Sequence, residues 1–332
     1  MKSPKEILRV KNLKAYLHSR EGMIKIVDGV DLKILEGETL GLVGETGAGK
    51  TVTALSILGI LQPLGEGKPL WKIAGEVLFK GRNLMILSKE EMRKIRGNEV
   101  AWIPQNPIPS LHPIDIIGHQ TGEAVEFIRD LEASKIYQMV VQHLGEVEIP
   151  DAEKRYYDFR DQFSGGEAQR ILIAMSLIRN PALLIADEPT YSLDVTVQRQ
   201  VLELLKAMKR EFNLSMLLIT HNLGVVAEMS DYVSVMYAGK IMEYGDVVTI
   251  FKAPKHPYTK GLLAAVPSIH VKKALFRFEG IPGEHPDPSI PIPGCKFHPR
   301  CNYAKPICSK EEPQMIEIDP GHSVACLRTS EL

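Results

Sequence analysis

The sequence predicts an α/β protein built around an open sheet, and three observations carry that prediction. Short apolar runs recur along the chain, each ending in a polar residue: LGLV at 40–43, VAWI at 100–103, LLIA at 183–186 and MLLI at 216–219. Runs of this length without polar alternation belong to strands buried on both faces. Helical stretches lie between them, notably an amphipathic one from Gly165 through Ile178 and another at about 196–212. Finally, GETGAGKT, Gly44 to Thr51, stands between the first of these strands and an apolar helix start at Val52 to Ile60.

That stretch fits G-x-x-x-x-G-K-[ST], the spacing of a phosphate-binding loop. Gly44, Gly47 and Gly49 have no Cβ, so the backbone can take positive φ and wrap a polyphosphate closely. The loop amides, through Glu45, Thr46 and Ala48 to Val52, then converge on the anion, backed by the N-terminus of the helix that follows. Lys50 supplies a point charge for the β- and γ-phosphates and Thr51 a hydroxyl for Mg²⁺. An ordinary Gly-rich turn would match the pattern but would not need a strand before it and a helix after it. The chain is therefore expected to bind a nucleoside triphosphate.

The 332 residues leave room for one large domain with an appendage, or for two domains. Hydrophobic residues make up 44% and charged residues 24%, the balance of a globular protein with a real core. A net charge of −1 gives no electrostatic reason to expect nucleic acid as a partner. No apolar run reaches membrane-spanning length, and MKSPKEILRV lacks the apolar core of a signal peptide. A cytoplasmic protein is expected, whose work at any membrane would pass through another subunit.

In chain order, residues 7–35 alternate apolar and polar, as in a half-exposed, mostly antiparallel sheet. Tyr16 lies there and reads first as a strand aromatic packed on the sheet, with a platform for a purine ring as the other reading. Residues 62–76, rich in Gly and Pro, read as a loop, Val77–Phe79 as a strand, and Lys89–Arg96 as a short charged helix. Gln105 follows the 100–103 strand, placed either to touch Mg²⁺ or attacking water or simply to end a loop. Residues 106–163 open on prolines and continue as helix-like stretches at 117–129, 133–145 and 151–161, a helical insertion. FSGGEAQR follows, where Ser164, Gly165 and Gly166 open a helix and offer a second anion site. Asp187 and Glu188 end the 183–186 strand; adjacent carboxylates there are costly without a task, such as holding Mg²⁺ and polarising water. Asp194 precedes the 196–212 helix, and His221 ends the 216–219 strand, where ligands of open α/β sheets sit. Short strands at 233–236 and 240–243 surround a turn at Ala238-Gly239.

The tail begins near 253 and is rich in proline, with PGEHPDPSIPIPG at 282–294. It carries all four cysteines: Cys295, Cys301, Cys308 and Cys326. Without an export signal, such a cluster reads as a metal site more readily than as disulfides. The spacing C-x5-C-x6-C-x17-C matches no common zinc or ferredoxin pattern and leaves zinc, iron–sulfur and no metal all open. Far in sequence from Gly44–Thr51, the cluster is expected to serve structure or docking rather than catalysis.

Together, Gly44–Thr51, Gln105, Ser164-Gly165-Gly166, Asp187-Glu188, Asp194 and His221 stand in the order and spacing of ABC-type ATPases, which the chain resembles. They are similar to that family's Walker A, Q-loop, signature, Walker B with catalytic glutamate, D-loop and switch histidine. Tyr16 falls where the family's adenine-stacking aromatic lies, which favours the platform reading. Glu167-Ala168 departs from the commoner Gln or Met followed by Arg after Ser-Gly-Gly. HPYTKGLLAAVPSI at 256–269, GCKFHPRCNYAKPIC at 294–308 and Val324-Ala325-Cys326 resemble the tail of oligopeptide/dipeptide importer ATPase subunits.

The resemblance implies a P-loop NTPase fold: a RecA-like core with an antiparallel β subdomain and the helical insertion at about 106–163, over residues 1–255. A small, irregular, Cys-containing C-terminal region would span 256–332. It implies ATP and Mg²⁺, with Thr51, Gln105 and Asp187 toward the metal, Glu188 as base and His221 on the γ-phosphate. It implies a head-to-tail pair with a second ATPase subunit, sister chain or self, in which Ser164, Gly165 and Gly166 serve the partner's nucleotide. Two membrane permease subunits and, indirectly, a substrate-binding protein complete the set, on the cytoplasmic face of the membrane. In that family the cysteines can hold a [4Fe–4S] cluster, which places iron–sulfur ahead of zinc. Oligopeptides or dipeptides are the expected cargo, with oligosaccharide or nickel as alternatives. A soluble ABC ATPase outside transport would call for long coiled coils, a second ATPase domain or a basic face, and none is visible.

Overall fold

The computed structural model describes residues 5–19, 22–61, 70–126, 131–266 and 280–331. The chain falls into two compact units, Met1–Ile86 with Ile219–Leu332, and Leu87–Leu218.

The first unit holds an antiparallel sheet in the order β2-β1-β4-β5. Strands β1 (Glu6–Ser19) and β2 (Gly22–Leu35) pair along their length, and the alternation read from 7–35 sends Leu8, Val10, Leu13 and Ala15 into the core. Strand β4 (Trp71–Phe79) lies on the other side of β1, with Val10 opposite Val77, and ends in the short β5 (Arg82–Asn83). The loop expected over 62–76 is thus overturned from Trp71 onward, where pairing with β1 overrides local composition; 62–69 lie outside the described residues. Gly75 accounts for the misleading signal: at φ 113° it fits a register shift where an added Cβ would stand 2.6 Å from the Asn12 carbonyl.

The same unit holds β3 (Thr39–Val43), wholly buried and parallel to β9 (Tyr232–Tyr237) with Leu40 opposite Tyr232. Strand β10 (Lys240–Asp246) returns antiparallel to β9 through Ala238 (φ 43°) and Gly239 (φ 80°), the left-handed pair a two-residue hairpin requires. Helix α1 (Lys50–Ile57) follows β3 through the glycine-rich loop. Helices α9 (Leu223–Met229), α10 (Val247–Lys252) and α11 (Pro257–Ala264) complete this unit's helices among the described residues. The tail adds a hairpin, β11 (Ile316–Asp319) and β12 (His322–Val324), and β12 extends the sheet beside β10. Cys295, Phe297 and Cys308 share one apolar cluster with Val43, Val235, Tyr237, Met242 and Tyr258, so the described tail packs on this unit's core.

In the second unit, β6 (Val100–Ile103) runs parallel to β7 (Leu183–Asp187), and β8 (Ser215–Thr220), which reaches the unit's boundary, follows in the order β6-β7-β8. A capping box between Ser88 and Glu91 opens α2 (Lys89–Ile95). The insertion contains α3 (Pro107–Ser110), α4 (Ile117–Glu126), α5 (Ala133–Glu146) and α6 (Ala152–Arg155). Of the helix expected over 117–129, residues 127–129 lie outside the described residues. The helix expected over 151–161 shrinks to the single turn α6 and a short 3₁₀ segment at Arg160–Gln162. The Tyr156 and Asp158 carbonyls accept from the Gly118 and Ile117 amides, so they serve the start of α4 instead of a helix of their own. Helix α7 (Gly165–Leu177) buries Ile171, Ala174 and Leu177, and α8 (Val195–Phe212) buries Val201, Leu205 and Met208, each at helical spacing.

Candidate functional site

The phosphate-type loop in the first unit has the backbone its glycines foretell. Gly44 stands at φ 152°, Gly47 at 87° and Gly49 at 105°. A Cβ on Gly44 would stand 2.1 Å from the Met236 carbonyl oxygen, and one on Gly49 2.7 Å from that of Ile26. Both contacts are with backbone that cannot swing away, so any side chain there would force the loop out of shape. Lys50 is buried at the first residue of α1, and its ammonium donates to the Gly44 carbonyl at 2.7 Å and the Glu45 carbonyl at 3.0 Å. Thr51 is exposed in the first turn of the helix, Thr46 and Gly47 are exposed, and Ala48 is buried.

Tyr16 is half-buried on β1, and its hydroxyl donates to Asp28 at 2.5 Å, which fixes the ring. Burial raises the Tyr16 pKa, and the neighbouring Asp28 carboxylate raises it further. Burial works against the Asp28 charge, yet the Tyr16 hydroxyl and the Lys240 and Lys25 ammoniums hold its pKa below the usual carboxylate range. The backbone ties this strand pair to the loop: the Asp28 amide donates to the Gly239 carbonyl, and the Gly239 amide to that of Ala48, both at 2.9 Å. His221, also in this unit, is exposed just after β8, where Asn222 caps α9.

The second unit gathers the acidic and signature residues. Asp187 ends β7 almost fully buried, and Glu188 follows it buried, with φ at 49°. A left-handed glutamate costs roughly 1–2 kcal/mol, so the fold holds this carboxyl at a set angle against local preference. Gln105 is half-buried two residues beyond β6. Ser164 caps α7, with its hydroxyl accepting from the Glu167 amide, while the Glu167 carboxylate accepts from the Ser164 amide and hydroxyl. Gly165 and Gly166 form the first turn, and a Cβ on Gly166 would meet Val197 of α8 at 2.6 Å. Burial opposes the Glu167 charge, but the Ser164 amide and hydroxyl and the Arg155 guanidinium outweigh it and lower the pKa. The departure at this position thus has a structural occupation. Asp194 caps α8, accepting from the Thr196 and Val197 amides, each at 3.0 Å.

The four cysteines form no disulfide and line one hollow with His256, Pro257 and Phe297. Burial pushes the Cys295 thiol up to about 11 and raises Cys301 and Cys326. Among the described residues, the trio of His, Cys, Asp or Glu donor atoms within 4.8 Å of one another is Asp115, His119 and Glu123. A donor set of four thiols around one hollow has the chemistry to hold either a zinc ion or an iron–sulfur cluster.

The cysteine-bearing tail lies far in sequence from the phosphate-type loop and is expected to serve structure or docking; in the fold it touches the loop. Arg300, next to Cys301, grips Glu45, the Tyr258 hydroxyl accepts from the Glu45 amide at 2.9 Å, and the His285 ring lies 3.4 Å from where a Gly47 Cβ would be. No motif spacing encodes contacts across more than two hundred positions; only the fold brings them together.

Comparison with known proteins agrees with this geometry. The ABC transporter family model matches residues 27–191, and the model for the oligopeptide/dipeptide transporter C-terminal region matches 242–308. A probable peptide ABC transporter ATP-binding protein, y4tR, from Sinorhizobium fredii is 42% identical over 98% of this chain and 96% of its own length. From Bacillus subtilis, the oligopeptide transport ATP-binding protein AppD is 42% identical over 96% of both chains. The dipeptide transport ATP-binding protein DppD of the same organism is 42% identical over 97% of this chain and 94% of its own. A solved dimeric ATP-binding cassette, MJ0796 bound to ADP and Pi, aligns over 72% of this chain and 98% of its own, with a TM-score of 0.63 at 23% identity, a likeness of fold. The chain belongs to the ABC transporter ATP-binding proteins, in the group that carries the oligopeptide/dipeptide C-terminal region. It is an ATP hydrolase of P-loop NTPase fold and serves a transporter as its ATP-binding subunit. Among the described residues no helix is long and apolar enough to cross a membrane.

Proposed function

We propose that this chain powers uptake of oligopeptides or dipeptides through a membrane permease, at the cytoplasmic face of the membrane. The observation that carries the reading is whole-chain: similarity to peptide-transport ATP-binding proteins runs through the ATPase region and the cysteine-bearing tail alike. In this reading residues 1–255 form the ATPase domain and 256–332 the importer-type region. Lys50 and the loop amides from Glu45 to Val52 hold the ATP phosphates, and Tyr16 stacks on adenine. Thr51, Gln105 and Asp187 hold Mg²⁺, Glu188 activates water, and His221 meets the γ-phosphate. Ser164, Gly165, Gly166 and Asp194 act at the nucleotide of a second ATPase subunit in a head-to-tail pair, and ATP-driven closure of that pair is the power stroke. Cys295, Cys301, Cys308 and Cys326 hold a [4Fe–4S] cluster, supported by their thiol chemistry around one hollow, with zinc as the alternative.

The test is reconstitution. The chain is purified with its sister ATPase, its two permease subunits and its substrate-binding protein, and the ligand carried by the binding protein is identified. Peptides as ligand, with ATP turnover stimulated by the loaded binding protein, are expected. A retained oligosaccharide or nickel ion would keep the engine and change the cargo. Turnover by the isolated chain with no response to any permease would overturn the transport reading.

A further inference from the structure

Arg300 is almost wholly buried, and its guanidinium is fully engaged. Nη1 donates to one Glu45 carboxylate oxygen at 2.6 Å and Nη2 to the other at 3.0 Å. Nε donates to the Pro282 carbonyl at 2.8 Å, and Nη1 also reaches the Tyr237 hydroxyl at 3.3 Å. A bidentate fork fixes the angle of the carboxylate as well as its distance. Glu45 is itself a residue of the phosphate loop, directly after Gly44, and its carbonyl accepts from Lys50. Its amide is also held by the Tyr258 hydroxyl, so the tail and α11 grip this one residue by side chain and backbone together. The glycines around it leave the free loop many conformations, and a site that must be ordered on binding loses affinity in proportion.

We propose that Arg300 is a positioning residue of the nucleotide site, delivered by the cysteine-bearing tail, which pre-sets the phosphate loop through Glu45. The inference rests on the reading of Gly44–Thr51 as the ATP site. Arg300 sits at the end of the short turn His298–Arg300, between Cys295 and Cys301, so the fold of the cysteine segment decides where the guanidinium stands. It touches no reacting atom and acts only through Glu45. Preorganisation of this kind favours ground state and transition state equally, so its loss raises KM and spares kcat.

The experiment uses the full chain and a fluorescent ATP analogue, mant-ATP, with Mg²⁺. Arg300→Met and Glu45→Gln should each weaken binding roughly 5- to 20-fold, the usual size of a coupling between sites. The double variant should be no weaker than the worse single variant. KM for ATP should rise in step while kcat stays within about twofold. Arg300→Lys, which keeps the charge and loses the fork, should fall between wild type and Arg300→Met. Should Arg300→Met prove insoluble, Glu45→Gln decides alone, since it leaves the tail intact. Lys50→Ala tests the underlying reading: unchanged binding there would mean the loop is not the nucleotide site. If Lys50→Ala abolishes binding while Glu45→Gln binds as wild type, or if the two single losses add, the positioning role is overturned.

Discussion

The amide and hydroxyl of Ser164 both rest on the Glu167 carboxylate, each at 2.8 Å. The Glu167 amide returns a bond to the Ser164 hydroxyl at 3.3 Å, and Arg155 steadies the carboxylate at 3.1 Å while stacking on the Phe163 ring. The helix that begins at the signature glycines is thus capped from within. Glu167→Ala should cost about 1 kcal/mol of stability in urea unfolding. Glu167→Gln can still accept from the Ser164 amide and should cost less. Equal losses in the two variants would show that the Arg155 charge pair, and not the cap, is what matters.

Glu188 sets a kinetic prediction. Its buried carboxyl follows the buried Asp187 on β7 and is held at positive φ. Glu188→Gln keeps shape and removes the base, so ATP hydrolysis should fall by about 10²- to 10⁴-fold while ATP binding persists. With turnover blocked, the variant should dimerise on adding ATP, alone or with a sister ATPase, as light scattering would show. Near-normal turnover would take Glu188 out of the base role; a monomer at saturating ATP with either partner would count against the paired arrangement.

Glu243, fully buried on β10, is the anchor of the tail. It accepts from the Lys255 amide at 2.7 Å and the His256 amide at 3.0 Å, and meets the His322 ring at 2.8 Å. Glu243→Ala would strand these groups in the interior, at a cost of about 3–5 kcal/mol. Limited proteolysis should then cut after residue 256 well before it cuts β1 or β3. Unchanged protection of the tail would mean the apolar cluster around Phe297 holds it unaided.

What the sequence made legible follows from how locally each feature is encoded. The strands at 40–43, 100–103, 183–186 and 216–219 announce themselves because burial on both faces leaves no polar residue in them. The phosphate-type loop is legible because its glycines meet steric limits that only glycine satisfies, as Gly44 does against Met236. Features that depend on a distant partner stayed hidden. Residues 71–76 are a strand only because β1 lies beside them, and the helix that opens at Ala152 stops after one turn, where the Tyr156 and Asp158 carbonyls serve α4. Arg300 looked like one more residue between cysteines until the fold placed it on Glu45. The tail hairpin β11–β12 was masked by the prolines that precede it.

His256 gives the fold a pH dependence. It is buried, and burial pushes its pKa down to about 3. Its Nδ1 accepts from the Tyr258 amide, so the folded state needs the neutral ring. The unfolded chain takes up a proton near the ordinary histidine value of about 6.5, and the folded one does not until far lower pH. Stability from this residue is therefore complete above about pH 6.5 and declines as pH falls from there toward 3, by roughly 1 kcal/mol at pH 5.5. His256→Asn keeps an acceptor for the Tyr258 amide and cannot be protonated. Urea unfolding at pH 7.5 and 5.5 should show the wild type losing about 1 kcal/mol more than the variant. Parallel losses would place the acid sensitivity elsewhere.

The cysteine hollow makes a prediction about composition as well as stability. Four cysteines without disulfide partners share a hollow, and burial makes the Cys295 thiol costly to ionise. Binding a metal centre removes that cost and cross-links a proline-rich segment whose described residues pack on the first unit's core. Chain purified without oxygen should be brown and carry about four irons and four sulfides, with little zinc. Cys326→Ser lies away from Arg300 in the sequence, so it probes the centre without replacing a neighbour of the Glu45 clamp. It should bleach the colour, lower the iron content to near zero and speed proteolysis of residues 280–331. A colourless protein with one zinc per chain would make the site a zinc site, and a chain with neither metal, equally resistant to protease with and without Cys326, would leave the segment held by packing alone.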